Sequence, residues 1–282
     1  MGLRINTNVA SLNSQRNLRF TRQALDKSLE RLASGFRINR AGDDAAGLAI
    51  SENLRAQTRG LQQAERNALD GVSMVQVAEG GLQEISNIMI RLRELAVQAA
   101  SDTVGPTERR FMQVEFEALL NETDRIANAT EYNRVPLLNG TASAFDIQVG
   151  TRNNPNIDRI TFFDTSSADV NVVALGLNLT SIADKTSAQN ALGAIDNAIV
   201  QVSSIRADFG AMQNRLQSII NNLAISVENI SAANSRIRDT DLASETAELT
   251  KNNILMQAGT AVLSQANASV QSALTLLKGA TG

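Results

Sequence analysis

The pattern on which the fold depends lies in residues 50–99, ISENLRAQTRGLQQAERNALDGVSMVQVAEGGLQEISNIMIRLRELAVQA. Apolar side chains recur there every seven residues in two neighbouring columns. One column is unbroken and contains Leu54, Leu61, Ala68, Val75, Leu82, Met89 and Ala96. The other contains Ile50, Ala64, Gly71, Ala78, Ile85, Leu92 and Ala99, with Gln57 as its polar member. Two such columns are typical of a coiled-coil seam, so the pattern predicts one long helix over about residues 44–100.

A second long heptad pattern covers residues 187–237. Its main column contains Ala188, Ile195, Val202, Phe209, Leu216, Leu223, Ile230 and Ile237. The two helices have the length and the seams to pack along each other. We therefore predict a rod whose core contains Leu54, Leu61, Val75, Leu82, Ile195, Val202, Leu216 and Leu223.

The chain between these helices changes character. Pro106 is suited to the first turn of a helix that runs to about Ala129 and folds back as an antiparallel hairpin. Apolar residues then alternate over 145–149 and again over 160–162, on either side of a turn-rich segment. This alternation predicts a small β-hairpin flap within residues 132–185. The fold class is mainly α, with long antiparallel coiled-coil helices forming a rod and this flap in mid-chain.

Before the central helices, residues 5–33 form a predicted first helix, and Gly35 is suited to end it. Asp43 or Asp44 supplies an N-cap for the helix that follows. Two adjacent carboxylates could alternatively bind a divalent cation. Capping is favoured because no further acidic ligand lies nearby in the sequence.

The last part of the chain contains an uncharged stretch, residues 252–277. Its apolar face is wider than the stripe of an ordinary surface helix, so contacts are expected on several sides. Insertion into a membrane is disfavoured because many Asn, Gln, Ser and Thr side chains would meet hydrocarbon. Enclosure by other copies of the chain is favoured, and contacts that repeat head-to-tail build a helical fibre. The predicted assembly interface contains Ile5, Val9, Leu12, Leu255, Val262, Leu263, Val270 and Leu277.

Composition excludes several classes of function. The 282 residues include no Cys and no His, which excludes disulfides, thiolate metal sites and imidazole catalysis. We expect no enzyme activity and no cofactor. The net charge of −3 conceals a basic head, because residues 1–40 carry eight Arg or Lys and only two acids. That head could also be a transit peptide, a membrane-surface helix or a nucleic-acid arm, but it lacks the apolar core of a secretory signal.

Several short motifs carry a resemblance to a known family. They are SGFRIN (34–39), DDAAGLAI (43–50), RELAVQ (93–98), DTD (239–241) and SQANAS (264–269). In these motifs, and in their order along the chain, the sequence resembles bacterial flagellin, in a short form without outer variable domains. The likeness covers roughly residues 1–140 and 187–278.

The resemblance implies an inner coiled-coil domain built from residues 1–42 and 239–282, and a helical rod domain over residues 43–238. It implies a homopolymer that forms the flagellar filament, the helical propeller for swimming. It also implies export of the unfolded chain through the flagellar type III apparatus, with an export chaperone, a cap and hook-junction proteins as partners, and neither nucleic acid nor membrane. Arg91, Leu95 and Glu115 match the residues through which some flagellins contact a vertebrate Toll-like receptor.

Three other interpretations compete with flagellin. A hook–filament junction protein shares the terminal similarity, but the continuous ending ASVQSALTLL (268–277) favours flagellin. A secreted needle-tip or translocator component of a type III system would form small assemblies or bind lipid. An enzyme is the weakest interpretation, because the metalloprotease insertions of some flagellins need His residues that this chain lacks.

Overall fold

A computed structural model describes residues 7–141, 145–162 and 168–279 of the chain, without the side chains of 162 and 273–279. Five helices dominate these ranges: α1 (Val9–Ser34), α2 (Ala45–Ala99), α3 (Pro106–Ala129), α4 (Lys185–Arg238) and α5 (Leu242–Gly279). Four short strands lie between α3 and α4: β1 (Glu131–Tyr132), β2 (Val135–Pro136), β3 (Phe145–Gln148) and β4 (Arg159–Phe162). The prediction of a mainly α fold is confirmed.

The helix ends have local causes. Gly35, at φ 73°, ends α1 in the left-handed conformation, and its N–H donates to Arg31 O at 2.8 Å. The Asp44 carboxylate accepts from Gly47 N at 2.9 Å at the start of α2. Pro106 opens α3. The last helix begins at Leu242, so the uncharged stretch is the C-terminal part of a longer helix.

The chain divides into two compact units. The terminal unit combines Met1–Ala56 with Ile230–Gly282, and the central unit is Gln57–Asn229. The division falls inside α2 and inside α4, so each long helix contributes to both units.

In the central unit, α2 and α4 run antiparallel. Arg93 binds Asp196 at 2.7 Å and Glu79 lies 3.8 Å from Arg206, so residue numbers fall on one helix as they rise on the other. The third helix folds back along α2, where Arg109 Nε donates to Ala99 O at 2.8 Å. The three helices share one apolar core, and residues from 168–182 close it with Val170, Leu175, Leu177 and Ile182.

The flap is a two-stranded antiparallel sheet, as the alternation predicts. Phe145 pairs with Phe162 and Ile147 with Ile160. A second tiny hairpin, β1–β2, was not predicted. Its turn residues Asn133 and Arg134 both have positive φ, 51° and 66°, the conformation of a tight hairpin turn. Because neither is Gly, the usual sequence signal for such a turn is missing.

Candidate assembly surface

The terminal unit contains an antiparallel pair of helices, α1 and α5. Asn8 Nδ2, at the N-cap of α1, donates to Ala266 O at 2.9 Å, and Arg31 Nη1 lies 3.4 Å from Glu245 at the other end. Between them the helices approach closely, since a Cβ added at Gly259 would lie 2.7 Å from Leu18 Cδ2. Gly259 therefore leaves room for the Leu18 side chain to pack directly on the backbone of α5.

The inner face of this helix pair buries little apolar surface and is partly polar. On α5 the less exposed positions recur every seven residues: Glu245, Asn252, Gly259 and Ala266, with Leu249, Met256, Leu263 and Val270 beside them. Asn252 is 4% exposed, and its Nδ2 has no hydrogen-bond partner among the described residues. On α1, Ser11 and Ser28 are buried. Such groups contribute little apolar burial, and an unpaired buried amide costs free energy.

Outside this inner face, both helices expose large apolar side chains. Val9 and Leu12 on α1 are 63% and 57% exposed, and Leu255 and Val262 on α5 are 47% and 57% exposed. We call these four residues the outer apolar face. Phe20, Leu29, Leu242 and Ile254 are also exposed on the same two helices. Apolar side chains concentrated on one helix pair are characteristic of an interaction surface.

The structure thus separates the eight predicted assembly residues. Four of them form the outer apolar face. Leu263 and Val270 are half-buried on the inner face. Ile5 and the side chain of Leu277 lie outside the described residues. The residues predicted as rod core lie buried in the central unit, with Leu54, half-buried, in the terminal unit.

Two connectors link α1 to α2 and α4 to α5, and they pair with each other. Arg37 N donates to Arg238 O at 2.7 Å and Thr240 N donates to Gly35 O at 3.0 Å. The Arg238 guanidinium lies 4.7 Å from the centre of the Phe36 ring and binds Glu52 at 2.6 Å. That hydrogen bond lowers the pKa of the Glu52 carboxyl. Sequence reasoning missed this pairing, although the motifs SGFRIN and DTD border it.

The adjacent carboxylates at the start of α2 have separate structural roles. While Asp44 caps the helix, Asp43 binds Lys27 Nζ at 2.7 Å and accepts from the N–H groups of Arg40 and Asn39. The hydrogen bond from Lys27, followed by those from the backbone, lowers the pKa of Asp43 to about 2. In the described part of the chain, no group of three or more acidic residues is arranged to hold a metal ion.

The three residues that match a receptor contact occupy different environments. Arg91 binds Glu115 at 2.8 Å and Glu94 at 2.9 Å, and these carboxylates, Glu115 first, raise the pKa of its guanidinium. Leu95 is only 2% exposed and belongs to the central core. The hairpin of α2 and α3 therefore brings Arg91 and Glu115 together at the surface while Leu95 faces inward.

Among the described helices, none combines the length and the hydropathy that crossing a membrane requires. The polar residues interspersed in the uncharged stretch explain why α5 falls short.

Two long parts of the chain match a known protein family. Residues 5–143 match the bacterial flagellin N-terminal helical region, and residues 192–277 match the bacterial flagellin C-terminal helical region. Flagellin of Halalkalibacterium halodurans is 45% identical over 97% of this chain and 99% of its own length. Flagellin of Bacillus subtilis is 43% identical over 98% of this chain and 100% of its own. Flagellin FlaB2 of Treponema pallidum is 42% identical over 97% of this chain and 99% of its own length.

A solved structure agrees with these relatives. The crystal structure of Bacillus cereus flagellin matches with a TM-score of 0.50 at 31% identity, over 60% of this chain and 94% of that one. A hook-associated protein from Vibrio parahaemolyticus matches with a TM-score of 0.58 at 15% identity, which shows a shared fold alone.

Proposed function

The chain belongs to the bacterial flagellin family and is a structural subunit of the flagellar filament, and we propose that subunits assemble through the outer apolar face of the terminal unit. The family is structural and its members are not enzymes. The junction-protein and needle-tip readings are not favoured by these relatives.

The observation that carries the proposal is the exposure of Val9, Leu12, Leu255 and Val262. Fully burying a side chain of this size contributes about 1.5–3 kcal/mol relative to leaving it in water. Contacts between subunits can complete this burial. A filament repeats every contact, so a modest gain per subunit stabilises the whole polymer.

The domain limits are part of the proposal. We place the inner coiled-coil domain at residues 1–42 and 239–282 and the rod domain at 43–238. The paired connectors support this placement, because the bridge between Phe36 and Asp239 lies where both terminal helices leave the long central ones. The outer apolar face then belongs entirely to the inner domain.

The chain's partners before assembly are proposed on the same grounds. An exposed apolar face needs cover before a neighbouring subunit arrives. The proposed route is export through the flagellar type III apparatus. A chaperone on the C-terminal segment would cover the face first, and the cap and hook-junction proteins would cover it afterwards. Receptor recognition has narrower support, from the surface residues Arg91 and Glu115, since Leu95 is buried.

The test is seeded polymerisation of purified protein on filament fragments, read by sedimentation and electron microscopy. Val262→Glu should abolish elongation, because each added subunit would bury a carboxylate. Circular dichroism should be unchanged, since Val262 is exposed in the free chain. Ala247→Glu is the matched control, because it adds the same charge to an exposed position of α5 that already lies between Glu245 and Glu248. Normal filament yield from Val262→Glu would refute this surface.

A further inference from the structure

Residues 35–37 and 237–240, where the two connectors of the terminal unit pair, form what we call the connector latch. Arg37 donates twice to the end of α4, from its N–H to Arg238 O and from Nη2 to Ile237 O, each at 2.7 Å. The two sides of the latch are 200 positions apart in sequence. The latch therefore closes a very long loop of chain with a few backbone contacts.

Arg238 is the centre of the connector latch. Its guanidinium lies 4.7 Å from the centre of the Phe36 ring, and its Nη1 donates to Glu52 at 2.6 Å. The Arg238 side chain is only 17% exposed, so both interactions are partly shielded from water. One side chain thus joins the first connector, the end of α4 and the start of α2.

Beyond the latch, the seam between α1 and α5 repeats every seven residues. Each helix contributes one column of large apolar side chains and one column of small or polar residues. On α1 these are Leu18, Leu25 and Leu32, and Ser14, Thr21 and Ser28. On α5 they are Leu249, Met256, Leu263 and Val270, and Glu245, Asn252, Gly259 and Ala266. A shift of one helix by seven residues replaces each seam residue by another of the same column, so the seam alone specifies its register weakly.

The two polar contacts along the seam add little to this choice. Asn8 Nδ2 donates to Ala266 O at 2.9 Å, but a backbone carbonyl recurs at the same place one heptad along α5. Arg31 Nη1 lies 3.4 Å from Glu245, which is long for a charged hydrogen bond. The register must therefore be fixed mainly from outside the seam.

We propose that the connector latch, through Arg238, sets the register of α1 against α5. The α4–α5 connector, residues 239–241, is short, whereas the α1–α2 connector, residues 35–44, is longer. With the latch closed, Thr240 N donates to Gly35 O at 3.0 Å, so both terminal helices start from one fixed point. With the latch open, the longer connector can extend by the roughly 10 Å of one heptad. Arg238 is thus a positioning residue.

The consequence for the filament rests on the proposed assembly surface. The axial distance between the exposed apolar side chains of α1, Val9 and Leu12, and those of α5, Leu255 and Val262, depends on the register of the two helices. A subunit whose helices had slipped by one heptad would present a different surface to its neighbour. The register itself is a property of the free chain and can be measured without polymerisation.

Introduced cysteine pairs can measure the register, because the chain has no Cys of its own. Leu18→Cys/Gly259→Cys is the in-register pair, since a Cβ at Gly259 would lie 2.7 Å from the Leu18 side chain. Leu18→Cys/Asn252→Cys and Leu18→Cys/Ala266→Cys are the slip pairs. Their α5 positions lie one heptad, about 10 Å, from Gly259. Because the Cα atoms of a disulfide lie within about 7 Å, only the in-register pair should crosslink on oxidation of the otherwise unchanged chain.

Arg238→Gln should allow the helices to slip. Crosslinking of at least one slip pair should rise about tenfold, because a charged hydrogen bond and a cation–π contact no longer oppose the shift. Glu52→Gln keeps the ring contact and should show a smaller rise. Arg236→Gln is the matched control, because it removes an exposed arginine from the same last turn of α4. Circular dichroism should show unchanged helicity in all three.

Two outcomes would overturn the inference. One is crosslinking of the in-register pair alone in Arg238→Gln, with the slip pairs at the level of Arg236→Gln. The other is loss of every crosslink in Arg238→Gln with helicity retained, which would make the latch necessary for pairing and not for register.

Failure of this inference is distinguishable from failure of the assembly surface. If Val262→Glu blocks elongation while Arg238→Gln keeps the register, the assembly proposal stands and the role of the latch is refuted. If Arg238→Gln slips while Val262→Glu elongates normally, the latch sets the register and the assembly surface is refuted.

Discussion

The terminal and central units are built from the same heptad logic, yet they bury very different amounts of apolar surface. In the central unit Leu82, Ile85, Met89 and Leu216 are completely buried. In the described part of the terminal unit, Ile38 is the one large apolar side chain that is buried, alongside Ser11, Ser28, Ser51 and Asn252. A heptad seam therefore makes a core only when enough neighbouring elements cover it.

The number of neighbours explains the contrast. In the central unit α2 meets α3, α4, the flap and residues 168–182 in one continuous apolar cluster. In the terminal unit α1 and α5 have mainly each other, and their contact consists of small and polar residues as well as leucines. A two-helix pair leaves most of its circumference in water, so the free energy of unfolding resides largely in the central unit.

The largest effect expected from this contrast is on local stability. Amides of α5 should exchange with solvent orders of magnitude faster than those of α2 around Leu82, because few apolar contacts oppose opening of the terminal pair. Limited proteolysis should correspondingly trim both ends and leave a helical core. Hydrogen exchange measured by mass spectrometry checks this. Equal protection of the amides in both units would show that the units do not differ in local stability.

The next largest effect is on global stability. Leu82→Ala and Leu216→Ala should each lower the free energy of unfolding by about 2–5 kcal/mol, because both side chains are fully enclosed. Val262→Ala in the terminal unit should lower it by less than about 0.5 kcal/mol, since that side chain is exposed in the free chain. Denaturant unfolding measures the free energy of unfolding of all three variants. A large loss for Val262→Ala would mean that the outer apolar face is part of the monomer's own core.

Glycines on α2 and α5 differ in how tightly their surroundings are packed. Alanine at Gly71 would press on Ile147 and Leu216 and should cost about 1–3 kcal/mol. Alanine at Gly259 would press on the half-buried Leu18, which can move toward solvent, so a smaller cost is expected.

Gly80→Ala is the control for this series, because an added Cβ meets nothing within 4 Å. It should raise the free energy of unfolding by about 0.5–1 kcal/mol through helix propensity alone. Thermal melts of the three variants measure these changes in stability. The largest loss of stability in Gly259→Ala would contradict the contrast between the central and terminal units.

The smallest effect concerns pH. The folded-state pKa of Asp43 is about 2 against an ordinary value of 3.8, so its contribution to stability is complete above about pH 4 and is lost as pH falls toward 2. The carboxylate belongs to the terminal unit and is near the surface, so the loss is slight. Lys27→Met should return the pKa of Asp43 toward its ordinary value, as NMR titration of the side chain would show. An unchanged pKa would assign the shift to the backbone donors instead.

Several expectations from sequence agree with the structure, for identifiable reasons. The long helices follow from sustained heptads, and Gly35, Asp44 and Pro106 mark ends that depend on one residue each. The flap follows from alternation over 145–149 and 160–162. The β1–β2 hairpin was missed because its turn residues, Asn133 and Arg134, lack the glycine that normally signals positive φ.

The candidate sites were harder to predict than the elements. The column of Leu249, Met256, Leu263 and Val270 and the pair Leu255 and Val262 are equally apolar in sequence. Only the position of α1 decides that the first faces inward and the second outward.

The motifs of the sequence are enough to indicate the family, while its periodicity, caps and composition predict the helices and a surplus apolar surface, because these signals act over a few turns of chain. Tertiary structure alone decided which side of α5 remains exposed, that Leu95 faces the core while Arg91 and Glu115 meet at the surface, and that Arg238 lies over Phe36. The physical reason is that burial depends on which helices become neighbours. That choice is made by contacts between residues far apart in sequence, whose combined free energy no single segment contains.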